Sequence, residues 1–573
     1  MIMTEETAEH TSKVHRPERP RGRGRHAKRR GGEQAGGAAV ARSSALLALG
    51  TVMSRSTGMV RLVLQGAALG VTADAGAYNT ANTVPTSLYT LMIGGALNSV
   101  LVPQLVRARD EHADGGRAHE QRLLTMVLSV LAVGTALALV FAPQIVALLT
   151  PPGPHGTSGD YALTLAFAWF LLPQVFFYGL FFMLGQLLNA RGRFGAMGWA
   201  PVLNNVVLIG MFGLYIVLAG RGGHLTSLEV VLLGTATTAG IALQALCLLP
   251  ALLRTGFSFR PRFDWRGTGL GRSIAAARWT LLFVLVNQVA LAVVTRYANA
   301  VDAVARQADA GNTPYFFAQN IWMLPQSVVT VSLVTALLPR MSRAVSEHRL
   351  DDARADLSRA LRTTGVAIVP AAFFFLAFGP QIAVLLFSHG PDGPAAAQPL
   401  GEMLQAFALG LIPFSAQYLL LRGFYAFEDT RTPFWTAVWI SLLDIALATA
   451  CHLWLPTRQV AIGMAGAYAL SYLVGLVITA HRLRRRLERR LDGRRLVRTY
   501  GKLVTAAASA GFAGWAAARA LGGFPAPAGA PTATALSALT VGGLVMLGAF
   551  VLACRALGVD ELRAVLARLP GRR

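Results

Sequence analysis

Two arginines, Arg55 and Arg61, stand inside an apolar run from about residue 43 to residue 70, long enough to cross a bilayer. One arginine at the bilayer centre costs from about 2.5 kcal/mol to more than about 10 kcal/mol. A span keeps such a residue where it faces a bundle interior or a watery cavity. Guanidinium groups in a cavity suit an anionic ligand, because they match phosphate oxygens two at a time. Six positions apart on a helix, the two side chains point roughly 120° from one another, so both can edge one wide cavity. The alternative is that Arg61 reaches outward to the interface while Arg55 caps carbonyls of a neighbouring helix.

Further polar groups interrupt other apolar runs. Asp74 lies just past the end of the first, and Asn79 and Asn82 follow on the second. Asn287 and Gln288 fall within the seventh, and Gln319 and Asn320 open the eighth. Arg422 is near the end of the tenth, and Asp444 is mid-way along the eleventh, the only acid there. A lone carboxylate at that depth must bind a cation, find a partner or stay protonated. Asp444 is therefore either a coupling-ion site or the structural partner of Arg422. No P-loop, HExxH or Gly-x-Ser-x-Gly pattern occurs. Cys247, Cys451 and Cys554 sit in apolar runs without metal-ligand spacing. The chain is expected to be no enzyme and to hold no cofactor or metal. Its driving force would be a Na+ or H+ gradient, or the membrane potential at about 2.3 kcal/mol per charge per 100 mV.

The elements that position these residues follow from composition. Hydrophobic residues make up 54% of the chain and charged residues 14%, too apolar for a soluble protein of this length. The net charge of +24 sits in tails and loops, the positive-inside pattern of a membrane protein, so no nucleic-acid partner is expected. About fourteen apolar stretches reach spanning length. With the basic tail inside, the inner loops hold Arg107 to Arg122, Arg191 and Arg193, Arg254 to Arg272, Arg340 to Arg362, Arg431, and the dense run Arg482 to Lys502. The outer loops carry little beyond Arg221, Arg306 and Arg458. Both termini are thus expected in the cytoplasm. Residues 1–42 are too polar to build a core; they hover at the anionic leaflet or form a plain solvated tail. Residues 559–573 read as a short amphipathic cytoplasmic helix.

The chain also repeats itself. Phe141-Ala142-Pro143-Gln144-Ile145 returns as Phe378-Gly379-Pro380-Gln381-Ile382, Pro85-Thr86-Ser87 as Pro325-Gln326-Ser327, and Leu172-Pro173 as Ile412-Pro413. The offset stays near about 240 residues, and six stretches separate the copies, so the halves share one orientation. This predicts an all-α integral membrane protein of two parallel six-helix lobes plus two extra C-terminal helices. The N-lobe covers 43–254, a cytoplasmic linker 255–272, the C-lobe 273–490, and the extra pair 491–558. Two such lobes facing one another form an alternating-access design with the cleft as pathway. Pro85 with Pro103, and Pro325 with Pro339, lie in the second span of each lobe, with Gly94 and Gly95 between the first pair. These are hinges that bend as the cleft opens, or static packing kinks.

The run Met53-Ser54-Arg55-Ser56-Thr57-Gly58-Met59-Val60-Arg61 resembles the opening signature of the MurJ/MviN family, lipid II flippases of the multidrug/oligosaccharidyl-lipid/polysaccharide exporter superfamily. Ala81-Asn82-Thr83-Val84-Pro85, Leu188 to Phe194 before Ala200-Pro201-Val202-Leu203-Asn204-Asn205, Leu337 to Ser342, and Phe424-Tyr425-Ala426 with Asp429 to Pro433 match in family order. The resemblance implies that Arg55 and Arg61 face the cavity and meet the pyrophosphate of the substrate, with Asp74 near the outer mouth and Asn79, Asn82, Gln319 and Asn320 around it. It gives the last two spans a groove for the lipid tail. Tyr89, Thr90, Gly94, Gln319 and Asn320 stand where many members carry charged residues, so this cavity is less cationic. The chain is more similar to a branch from high-GC Gram-positive bacteria, some members of which append a kinase-like domain that is not expected here. The implied function is movement of undecaprenyl-pyrophosphate disaccharide pentapeptide across the bacterial cytoplasmic membrane. Membrane lipids and cell-wall synthesis proteins would be its partners. The alternatives are export of another polyprenyl-linked saccharide, a transport-inactive cell-wall scaffold, and a drug antiporter.

Overall fold

In the computed structural model the described residues are 49–71, 73–93, 114, 116–151, 159–193, 195–218, 225–264, 270–304, 310–390, 393–488, 492–520, 522 and 532–562. Residues 1–42, Gly94, Gly95, Pro103 and 563–573 of the terminal tail lie outside them. Among the described residues there are helices, turns and irregular links, and no strand.

The first half holds α1 (49–69), α2 (Ala73–Ile93), α3 (Arg117–Val140), α4 (Ala142–Leu149), α5 (Gly159–Leu171), α6 (Gln174–Ala190), α7 (Gly195–Leu218), α8 (Ser227–Leu246) and α9 (Leu248–Leu253). The second half holds α10 (Leu270–Val304), α11 (Asn312–Pro325), α12 (Val331–Ser346), α13 (Leu350–Phe387), α14 (Gly393–Ala408), α15 (Leu411–Ala426), α16 (Arg431–Trp454) and α17 (Thr457–Arg486). α18 (Gly493–Ala520) and α19 (Thr532–Ala556) follow. Among the described residues nine helical stretches are long and apolar enough to span a membrane, or ten if α14 and α15, bent by 49° at their junction, count as one. That test does not reach fourteen. The polar load of α1 and α2, the break after α11, and the small residues of α18 with Arg519 in its last turn lower the hydropathy of those runs.

Helix α3 shows why these segments need lipid. Val130, Val133, Leu137 and Val140 recur along one face and are more than half exposed, while Leu124, Val127, Leu131 and Ala138 are buried on the other. An apolar face toward the core is ordinary, but a second one facing outward is stable only in hydrocarbon.

Buried apolar residues fall into four clusters among the described residues. Two clusters of buried apolar residues draw their members from the first half, around Phe167 and Phe212 and around Leu123 and Leu184. A third lies wholly in the second half, around Met341 and Phe424. The largest, around Trp322, Phe378 and Phe407, belongs to the second half and the last two helices, joined by Leu62 and Val71 from α1 and the turn after it. α1 therefore touches both halves. α18 and α19 pack on one another and on α13. A Cβ on Gly514 would come within 2.5 Å of the Gly542 carbonyl oxygen, so these two helices meet backbone to backbone.

Candidate functional site

A cavity of about 630 Å³ opens between the halves. α1 and α7 supply one wall, including Arg55, Arg61 and Asn205. Asn320 on α11, Gln326 and Ser327 just after it, and Tyr418 on α15 supply the other. No acid is among its lining residues. Its volume falls within the range of about 300–1,000 Å³ usual for ligand sites.

Local chemistry fixes both walls. Asn205 donates to the Ser54 carbonyl oxygen at 2.9 Å and to Thr57 Oγ1 at 3.0 Å, which pins α7 to α1 beside Arg55. The Arg55 side chain is exposed, and Arg61 is half-buried with its Nε buried and unpartnered. The two arginines, set apart in direction by six residues of helix, thus line one space. On the facing wall Pro325 ends α11, and a π-helical turn, Gln326–Thr330, follows before α12. Proline withdraws a helix hydrogen bond, and the wider turn absorbs the mismatch. Pro85 is buried inside α2, and α2 continues through it.

At the other end of α1 the halves are held together. Gln65 Nε2 donates to Asn79 Oδ1 at 2.7 Å, and Asn79 Nδ2 to Thr313 Oγ1 at 3.2 Å. Thr80 Oγ1 donates to Asn299 Oδ1 at 3.0 Å and accepts from Asn312 Nδ2 at 2.9 Å. Arg296 reaches the carbonyls of Ala147 and Leu148 at the end of α4. Gly66 lies under Phe387, where a Cβ would come within 2.5 Å of the ring, so only glycine fits without a shift.

The sequence-selected residues therefore separate. Arg55, Arg61 and Asn320 line the cavity, and Asn320 Nδ2 also donates to the Phe316 carbonyl at 2.8 Å. Asn79 belongs to the seal. Asn82, on the same helix, is half-buried with its Oδ1 buried and unpartnered. Asp74, in the first turn of α2, is not among the cavity's lining residues and accepts the Leu225 N–H at 3.3 Å, at the entry to α8. Gln319 is half-buried on α11 and is not among the cavity's lining residues. Asp444 is 5% exposed, and its Oδ1 has no partner. It forms no ion pair with Arg422, so that alternative is corrected. Arg422 instead lies over the Tyr418 ring at 4.3 Å and near Tyr425 at 5.3 Å, with its Nε buried and without a hydrogen-bond partner. The spacing of four and three residues on α15 could have shown this. Gln65, Thr80, Asn299, Asn312, Thr313 and Arg296 were not selected from the sequence. A denser count of amides at the ends of spans would have been their only signal.

Two helical halves around an arginine-lined cavity, with apolar outer faces, define an all-helical membrane transporter. The chain belongs to the lipid II flippase MurJ family, whose model matches residues 66–523. A probable lipid II flippase MurJ from Rhizobium meliloti (strain 1021) is 29% identical over 67% of this chain and 70% of its own. A lipid II flippase MurJ from Burkholderia cenocepacia is 26% identical over 69% and 74%. The fold is similar to a solved lipid II flippase MurJ in an inward closed conformation, with a TM-score of 0.71 at 18% identity, covering 89% of this chain and 99% of that one. It is also similar to an inward-facing multidrug resistance MATE family transporter, with a TM-score of 0.60 at 16% identity, covering 76% and 96%.

Proposed function

We propose that the protein carries lipid II, the undecaprenyl-pyrophosphate-linked disaccharide pentapeptide, from the inner to the outer leaflet of the bacterial cytoplasmic membrane by alternating access. The observation that carries this reading is the pairing of Arg55 and Arg61 in one acid-free cavity between the halves, sealed at the far end of α1. Their guanidinium groups would hold the pyrophosphate, since bidentate contacts match its oxygens. Both termini face the cytoplasm, which agrees with arginine-rich loops on that side. The cavity then opens inward and the amide seal lies outward. Flipping makes and breaks no covalent bond, so the protein is a carrier and not an enzyme. Asp444 couples the motion to Na+ or H+, because an unpaired carboxylate at that depth needs a cation or proton.

Depletion of the protein in its own cell, followed by analysis of lipid-linked intermediates, tests the substrate. Lipid II should accumulate on the inner leaflet. Accumulation of a different polyprenyl-linked saccharide, with lipid II unchanged, would overturn the assignment.

A further inference from the structure

Arginine gathers at a second place, away from the central cavity. A pocket of about 620 Å³ lies where the ends of α15 and α17 meet the start of α16, with Arg431, Arg482, Arg485 and Arg486 in its lining. Its one acid, Asp429, is already engaged. Asp429 accepts the Thr432 N–H at 3.0 Å and the Thr432 hydroxyl at 2.8 Å, which caps α16, and it takes Arg486 at 3.1 Å. Burial pushes this carboxyl up, but those bonds outweigh it and hold it below the usual carboxylate range. Arg431 lies over the Trp279 ring at 5.5 Å. Neither Arg482 nor Arg485 has a carboxylate partner among the described residues. Arg482, Arg485 and Arg486 share one face of α17, and like charges at that spacing repel. An anion in the pocket relieves the repulsion.

The pocket's rim shows what kind of anion. Trp435 belongs to its lining, and from there Trp439 and Leu442 continue along one face of α16, being 43%, 53% and 54% exposed in that order. Tryptophan at a charged rim marks the membrane interface, and the stripe runs from it into the apolar span. A free phosphate would use the arginines and leave the stripe unused.

We propose that this pocket binds the phosphate headgroup of an anionic phospholipid from the adjoining leaflet, with one acyl chain laid along Trp435, Trp439 and Leu442. The site is distinct from the central cavity and does not depend on the identity of the carried substrate.

Native mass spectrometry of the full-length protein in detergent tests it, with phosphatidylglycerol and phosphatidylcholine as probes. Phosphatidylglycerol should be retained and phosphatidylcholine lost. Arg482→Gln with Arg485→Gln should weaken retention by about fivefold per arginine, the equivalent of about 1 kcal/mol each. Arg494→Gln with Arg495→Gln, exposed and outside the pocket, should leave it unchanged. Trp435→Ala should weaken phosphatidylglycerol without altering competition by inorganic phosphate. Unchanged lipid retention in the Arg482/Arg485 variant would overturn the proposal. So would inorganic phosphate displacing the lipid while Trp435→Ala has no effect, which marks a free-anion site. Binding of a phosphoserine peptide with no retained lipid would assign the pocket to a protein partner instead. If the double arginine variant fails to fold, Trp435→Ala alone decides, and undiminished lipid retention there overturns the assignment.

Discussion

The two ends of the central cleft are built from different chemistry. At the cavity end two guanidinium groups face open space with no carboxylate among the lining residues. At the sealed end neutral amides and hydroxyls from both halves bond to one another, Gln65 to Asn79 to Thr313 and Asn312 to Thr80 to Asn299, and the one charged member, Arg296, is exposed where it meets the Ala147 and Leu148 carbonyls. A neutral hydrogen bond contributes about 0.5–1.5 kcal/mol net, whereas one to a charged group contributes about 1.5–3 kcal/mol. The seal is therefore a set of small, separable steps that a bound substrate can outweigh. The cavity concentrates its free energy in two residues that gain it when an anion arrives. A carrier needs that division, because a seal as strong as the ligand site would hold one state.

The cavity end should break first and most completely. Arg55→Ala or Arg61→Ala each removes a charge-assisted contact, so substrate binding should fall by about tenfold to a hundredfold per residue. Complementation of a depleted strain should be lost while immunoblots show the protein still in the membrane. Normal growth with both arginines replaced would remove the cavity from the pathway.

The two ends also differed in how far the sequence disclosed them. Hydropathy is local, so the apolar runs were readable, and arginine inside such a run is costly enough to flag Arg55 and Arg61 without any contact. The seal was hidden because its members are cheap. An amide in a membrane helix satisfies itself many ways, and the bond from Thr80 to Asn299 joins residues 219 apart in the chain. Asn79 was selected, but as a substrate contact; nothing in its spacing points to Gln65 or Thr313. Asp444 and Arg422 were readable as rare charges, but pairing them assumed proximity where α15 offered Arg422 two nearer tyrosines. The repeated motifs suggest two halves from sequence alone because a repeat is itself a long-range signal.

A middle-sized effect is expected at Asp444, which belongs to neither end. Under ion coupling, Asp444→Asn should leave expression intact and abolish the dependence of flipping on pH or sodium, slowing transport severalfold without stopping it. Because Arg422 stacks on tyrosine, adding Arg422→Gln should not restore the dependence. Flipping at the normal rate with unchanged ion response would assign Asp444 a purely structural role.

The seal should give the smallest and most graded response. Asn79→Ala loses the bonds to Gln65 and Thr313, and Asn312→Ala loses the one to Thr80. Together they should move the equilibrium toward the outward-open state by up to about a hundredfold, at about 1 kcal/mol per bond. Arg296→Gln should act alone and more weakly, by about fivefold, because a neutral amide can still reach the carbonyls of Ala147 and Leu148. A cysteine at Ser327, in the cavity wall, reports the balance. Its labelling by an aqueous thiol reagent from the cytoplasmic side should decline from wild type to Arg296→Gln to the double variant. A decline that ends at one step, with Arg296→Gln already equal to the double variant, would mean that Arg296 is the latch and the amides only fill space. Labelling that rises instead would place the seal on the wrong side of the cavity and reverse the orientation of the whole cleft.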